Sequence, residues 1–364
     1  MIKTLLSGDL PRSRLLSGVL LLVFFGLALA PFLVSGARSL NVAATICVFI
    51  VLVASYDLLL GYTGIVSFAH TMFYGIGAYG VGLALDGMGP TWWAVGVGTA
   101  LALVVSLVLA LLIGLFSLRV RAIFYAMITL AVAAAFAVLA SQLSDFTGGE
   151  DGRTFKVPQL LQPSFHLIDG DILGRSIDGK LITYYLLFFS ALGLTLFMLR
   201  IVNSPFGRVL QAIRENDFRA EALGYRTVIY RTLANCLSAL IATLAGILMA
   251  LWLRYVGPKT MLSFEIMTDI LLIVVIGGMG TIYGAVIGSA VFILAQNYLQ
   301  VLMGQASAAL SGVPFLSNFF HPDRWLLWLG VLFVLSVYFF PTGIVGKLRA
   351  GAIVDRGAPK ESKT

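Results

Sequence analysis

Apolar residues in this chain come in long blocks separated by short polar stretches, and the rhythm holds from one end to the other. A helix of about 20 apolar residues covers the roughly 30 Å hydrocarbon core of a bilayer, so each block is long enough to cross it. The pattern predicts ten spans, at about 15–35, 40–60, 63–85, 91–117, 122–142, 182–202, 228–253, 263–280, 284–303 and 324–341. The expected fold class is all-α, a polytopic integral membrane protein with about ten transmembrane helices. An even number of spans places both termini on one side.

The polar stretch Ser204 to Arg231, SPFGRVLQAIRENDFRAEALGYRTVIYR, has a pattern of its own. Phe206, Val209, Leu210 and Ile213 recur at steps of three and four, which makes one helix face apolar. Ser204 suits the N-cap, Pro205 the first helical position and Gly224 a left-handed position after the last turn. Glu215 and Arg219 stand four apart in the favourable order. A single amphipathic helix from Pro205 to Leu223 is expected between two spans.

The third block, GYTGIVSFAHTMFYGIGAYGVG, is rich in glycine and carries Ser67, His70 and Thr71. Small residues let helices approach closely in lipid. A broken helix is consistent with this stretch where protein surrounds the irregular backbone. The segment Gly277 to Gly288 repeats the theme with Gly280, Gly284 and Gly288 on one face. One such segment in each half hints at an internal duplication.

Composition excludes a soluble domain: 59% of the residues are hydrophobic and 11% charged, against about a quarter charged in soluble proteins. The net charge of +7 then speaks for orientation rather than for nucleic acid. The side shared by the termini holds 16 of the 24 basic residues and the other side 8, so the terminal side is expected to be cytoplasmic. Lys3, Arg12 and Arg14 precede the apolar run Leu15 to Val34, read as the first span rather than a cleaved leader. Residues 143–181 form a long extracytoplasmic segment, and residues 349–364 a polar cytoplasmic tail after a transmembrane domain of 1–348.

Asp57, His70, Glu265 and Asp269 are the ionisable residues placed within spans, and such residues are functional candidates. Glu265 and Asp269 share a helix face, as a proton relay would require, or as two carboxylates hydrogen-bonded between helices. Cys47 and Cys236 lie in apolar runs and give neither a disulfide framework nor a metal site. His70 has no second ligand nearby. No phosphate-binding GxxxxGK[ST] pattern occurs, so any ATP is expected on another chain.

Gly61–Tyr62–Thr63–Gly64 with Ser67, His70, Phe73 and Gly75–Tyr79, then Thr147–Gly148–Gly149 with Asp151–Gly152, form two of four motif groups. Gly207–Arg208, Ala212–Glu215 and Ala220–Gly224, then Gly277–Thr281 with Gly284, form the others. Together they resemble the membrane subunits of ABC importers for branched-chain amino acids, of the LivM type, over nearly the whole chain after the first span. Arg153 stands where that pattern favours an apolar residue, Arg231 where it favours Lys, and the interval from Glu221 to Gly224 is short.

The resemblance implies an importer-type permease without catalytic residues. It implies partner ATPase subunits that bind ATP and Mg, a second related permease subunit, an extracytoplasmic binding protein and a bacterial inner membrane. Residues 203–226 would carry the coupling helix, with Phe206, Arg208, Ile213, Arg214, Glu215, Glu221 and Gly224 engaging an ATPase. Tyr62, Ser67, His70 and Phe73 would lie on or beside the translocation route, and Thr147, Gly148, Gly149, Asp151 and Gly152 would form the extracytoplasmic motif. Urea, amides or aromatic acids remain alternative solutes. A proton-coupled carrier using Asp57, Glu265 and Asp269, or a scaffold subunit, are the rival classes.

Overall fold

A computed structural model describes residues 13–33, 36–117, 122–172, 175–309, 319–340 and 342–349. The principal helices are α1 Arg14–Leu33, α2 Ala37–Thr63, α3 His70–Met88, α4 Trp92–Ser117, α5 Ala122–Gln142 and α6 Gly179–Val202. They continue with α7 Pro205–Glu215, α8 Asp217–Ala222, α9 Thr227–Leu253, α10 Phe264–Gly277, α11 Ile282–Ala309 and α12 Trp325–Phe339. Among the described residues four short strands accompany them. β1 Arg153–Thr154 pairs antiparallel with β4 Tyr255–Val256, and β2 His166–Ile172 with β3 Arg175–Asp178.

Among the described residues nine helical segments are long and apolar enough to cross a membrane. The tenth expected span is α3, whose glycines and polar residues lower its hydropathy. It does not need a lipid-compatible surface, because protein encloses it: α9 packs along one side and α4 along another. Backbone touches backbone at this contact. A methyl group on Gly77 would collide with the Thr243 carbonyl, and one on Gly246 with the Tyr74 carbonyl.

α2 and α9 form the centre. α9 packs on α2, α3 and α4, while α2 also packs on α6, α10 and α11. α1, α4, α5 and α12 turn large apolar side chains outward, among them Leu22, Val104, Ile123 and Leu326. This surface belongs in lipid.

The chain breaks where the glycine-rich block begins. Gly64 takes φ 73° after α2 and donates its N–H to the Leu59 carbonyl, a left-handed helix stop. Residues 65–69 are not helical, and α3 starts at His70. The expected polar tail, 349–364, lies outside the described residues from 350 onward, as do Lys3 and Arg12, while Arg349 is still helical.

Candidate functional site

The amphipathic stretch differs from the expected single helix. Ser204 caps α7 as predicted, accepting from the Gly207 N–H at 3.4 Å, with Pro205 in the first turn. The helix then stops at Glu215. Asn216 is extended at φ −158°, and its Oδ1 accepts from the Arg219 N–H at 2.9 Å, which starts α8. Asn competes with the helical backbone in this way and favours caps over interiors. Glu215 and Arg219 therefore do not share one continuous helix face.

The apolar stripe is also already covered. Leu210 and Ile213 are buried and Val209 is half-buried. The Phe206 ring stacks on Tyr230 with centroids 5.8 Å apart. α7 packs on α2, α6 and α9 of its own chain, so the stripe anchors the segment rather than waiting for a partner. Phe218, 83% exposed, and Leu223, 72% exposed, are the large apolar side chains that this segment leaves open, with Tyr225 beside them. Arg208 and Glu215 are exposed at its surface.

Glu221 accepts from the Thr227 hydroxyl at 2.7 Å and so ties α8 to the first turn of α9. Gly224 takes φ 90°, as expected, and donates its N–H to the Glu221 carbonyl at 2.8 Å. Arg231 reaches back to Asp217 at 2.9 Å.

Arg214 connects this segment to the two glycine-rich turns. Its Nη1 donates to the Gly61 carbonyl near the end of α2, and its side chain lies against Gly64 and Gly280. The Gly280 N–H donates to Asp57 Oδ1 at 2.8 Å. Gly61 and Gly280 touch so closely that a Cβ on Gly61 would occupy the space of Asp57 Oδ1 and the Gly280 nitrogen. Two motifs more than two hundred residues apart thus meet at one guanidinium. Tyr62 and Thr63 are buried at the same end of α2, where Thr63 donates its hydroxyl to the Leu59 carbonyl at 2.6 Å.

Ser67, His70 and Phe73, expected along the route, are buried in packed protein in this conformation. Ser238 Oγ donates to the Ser55 carbonyl and lies 2.7 Å from His70 Nε2. The serine proton is thereby committed, so Nε2 carries the hydrogen that completes the pair. Tyr56 meets the imidazole edge-on at 4.8 Å. A second buried network, missed at the sequence level, joins Tyr125, Asn235 and the Ala110 carbonyl at 3.1 and 2.8 Å. Asn235 inside an apolar run was the signal for it.

At the opposite end, Thr147 Oγ1 donates to the Ala140 and Leu143 carbonyls, and Gly148 takes φ 84°. Gly149 donates its N–H to Thr147 Oγ1 at 3.2 Å, and the Asp151 carbonyl accepts from the Tyr255 hydroxyl at 2.9 Å. Gly152 packs on the Val256 carbonyl. The unexpected Arg153 pairs with Asp86 at 2.5 Å and donates to the Asp145 carbonyl at 2.5 Å, tying the motif to the last turn of α3. Arg254 joins α9 to β4 in the left-handed region, φ 56°; partial burial lowers the pKa of its guanidinium.

Glu265 and Asp269 do share a face, and both line a cavity of about 440 Å³ with Gln296, Trp325 and Phe333. Gln296 donates to Asp269 at 3.3 Å. Among the described residues no group of three metal-ligating side chains occurs.

Comparison with known proteins bears on the whole arrangement. A family model described as branched-chain amino acid transport system, permease component, matches residues 38–337. The LivM permease protein of the high-affinity branched-chain amino acid transport system of Salmonella typhimurium is 25% identical over 309 residues, covering 80% of this chain and 71% of its own. The probable LivM permease protein of Methanocaldococcus jannaschii is 24% identical, covering 80% of this chain and 88% of its own. The LivH permease protein of Salmonella typhimurium is also 24% identical, over 80% of this chain and 89% of its own. No solved structure matches. With the family model spanning both glycine-rich turns, the split amphipathic segment and the motif at the Arg153 end, this chain belongs to the branched-chain amino acid transport permease family.

Proposed function

We propose that this chain is the LivM-type permease subunit of an ATP-driven importer for branched-chain or related amino acids. The observation that carries the reading is the family match across residues 38–337. In this reading the chain sits in the bacterial inner membrane with both termini and α7–α8 cytoplasmic, in agreement with the 16-to-8 division of basic residues. A related second permease, two ATPase subunits that hold ATP and Mg, and an extracytoplasmic binding protein complete the machine.

The split of α7 from α8 refines how an ATPase would dock. Residues 203–226 remain the coupling segment, but the anchors move. Phe218, Leu223 and Tyr225 offer exposed apolar area, and Arg208, Glu215 and Arg219 provide polar contacts around them. Apolar anchors with a charged rim are the helix-in-groove mode of recognition. Glu221 and Gly224 keep α8 joined to α9, so movement of the docked partner reaches the centre of the bundle. At the other face, the motif from Thr147 to Gly152 and the segment 143–181 offer the landing surface for the binding protein.

The test is ATP-dependent uptake of labelled leucine, isoleucine and valine by the complex of both permeases and the ATPase subunits in liposomes, with binding protein supplied. Uptake that requires ATP and binding protein is the expected result. Uptake driven by a proton gradient without ATPase subunits would overturn the reading in favour of Asp57, Glu265 and Asp269 as a proton relay. Phe218→Asp is expected to lower ATPase retention on the purified permeases about tenfold or more, the usual scale of losing a buried apolar anchor.

A further inference from the structure

Asp57 is a carboxylate in the interior of the molecule, 1% exposed. Oδ1 accepts from the Gly280 N–H at 2.8 Å, the Thr281 N–H lies beside the same carboxylate, and Oδ2 completes no hydrogen bond. An ionised carboxylate held only by neutral backbone amides, with one oxygen unbonded, is poorly compensated when buried. The adjacent cation is Arg214, whose field reaches Asp57. Yet the guanidinium donates to a neutral carbonyl, that of Gly61. A methyl group on Gly280 would lie 2.9 Å from Arg214 Nη1, and one on Gly61 would occupy the space of Asp57 Oδ1, so the arginine and the aspartate flank the same pair of glycines.

Two arrangements of the same groups therefore compete. In the one observed, Arg214 holds the α2 terminus and Asp57 holds the turn between α10 and α11. In the other, the guanidinium moves onto the carboxylate, which then accepts the charge-assisted bonds it now lacks. The Gly61 carbonyl is released, and the Gly280 amide then shares the carboxylate with the guanidinium. Because α7 carries Arg214, displacement of α7 selects between them.

We propose that Asp57 and Arg214 are the positioning pair of energy coupling, passing Arg214 between the Gly61 carbonyl and the Asp57 carboxylate as α7 moves. The pair thereby governs the end of α2 and the 277–281 turn at once. This rests on reading α7–α8 as the cytoplasmic coupling segment.

The experiment measures solute imported per ATP hydrolysed by the full complex in liposomes, for Asp57→Asn, Arg214→Gln, Arg214→Lys and the double variant Asp57→Asn with Arg214→Gln. Each neutral single variant is expected to lower the ratio about tenfold or more, the scale of one lost hydrogen bond to a charged group. Arg214→Lys keeps the charge and is expected to fall between wild type and Arg214→Gln. The double variant is expected to be no worse than the poorer single one, because both act in one exchange. A double variant that multiplies the two losses would overturn the proposal, as would wild-type ratios in the single variants. Should Asp57→Asn fail to reach the membrane, the Arg214 variants decide: equal ratios for Lys and Gln overturn the pairing. If the wild-type complex shows no ATP-dependent uptake, it is the importer reading that fails.

Discussion

α1 and α2 are adjacent in sequence and both strongly apolar, yet they occupy opposite environments. Only 11% of the α1 span is buried, against 94% of the α2 span. In water the more apolar helix goes inside. In lipid that rule loses its force, since hydrocarbon tails are as apolar as leucine. What distinguishes α2 is its polar and small residues: Ser55, Asp57, Gly61 and Thr63 all find partners within the protein. α1 offers mainly leucine, valine and phenylalanine, and leaves Leu15, Leu22 and Leu33 facing outward. The interior of this molecule is selected by close contact and hydrogen bonding, and the exterior by apolarity.

The strongest way to break that contrast is to place bulk in both environments. Gly246→Leu on α9 would drive a side chain into the Tyr74 carbonyl. It is expected to destabilise the protein by about 3 kcal/mol or more, at the upper end of overpacking costs. Gly18→Leu on α1 meets nothing within 4 Å and is expected to be neutral. Denaturant unfolding in mixed micelles compares the two. An equal loss at both sites would abolish the distinction between centre and rim.

A finer test concerns hydrogen bonding. His70→Leu removes the partner of Ser238 in a buried site, and the expected cost is about 1–3 kcal/mol. His70→Gln, which restores a donor, is expected to recover part of it in the same assay. The smallest effect is expected at the surface. Arg153→Gln breaks the partly exposed pair with Asp86, for a loss of about 1 kcal/mol or less that shrinks further at high salt. A larger, salt-independent loss would mean that the contact to the Asp145 carbonyl matters more than the ion pair.

The span pattern was legible in the sequence because the bilayer demands long apolar helices, and even the break before His70 was announced by glycine and serine. The end signals of α7, Ser204 and Pro205, were equally readable. Its early stop was written in Asn216–Asp217, a capping pair masked by the apparent helical period on either side. A period of three and four says that one face of a helix is apolar; it does not say what covers it. Hence the stripe of Phe206 and Ile213 read as a surface for a partner, whereas the chain buries it against its own helices. The meeting of Gly61, Gly280 and Arg214 was beyond reach for another reason: it depends on how distant helices fold together, and no local pattern encodes that.

The hydrogen bond from Gly280 to Asp57 spans 223 positions of the chain, and this separation has a consequence for how the protein is made. A ribosome adds about 5–20 residues per second, so Asp57 is synthesised on the order of 10–40 s before the amide that donates to it. Ser55 and His70 likewise wait for Ser238 on α9. During that interval α2, which carries Asp57, has no completed interior to enter. Newborn α2 must therefore be sheltered, at the insertion machinery or at the membrane surface, until the second half of the chain arrives to enclose it.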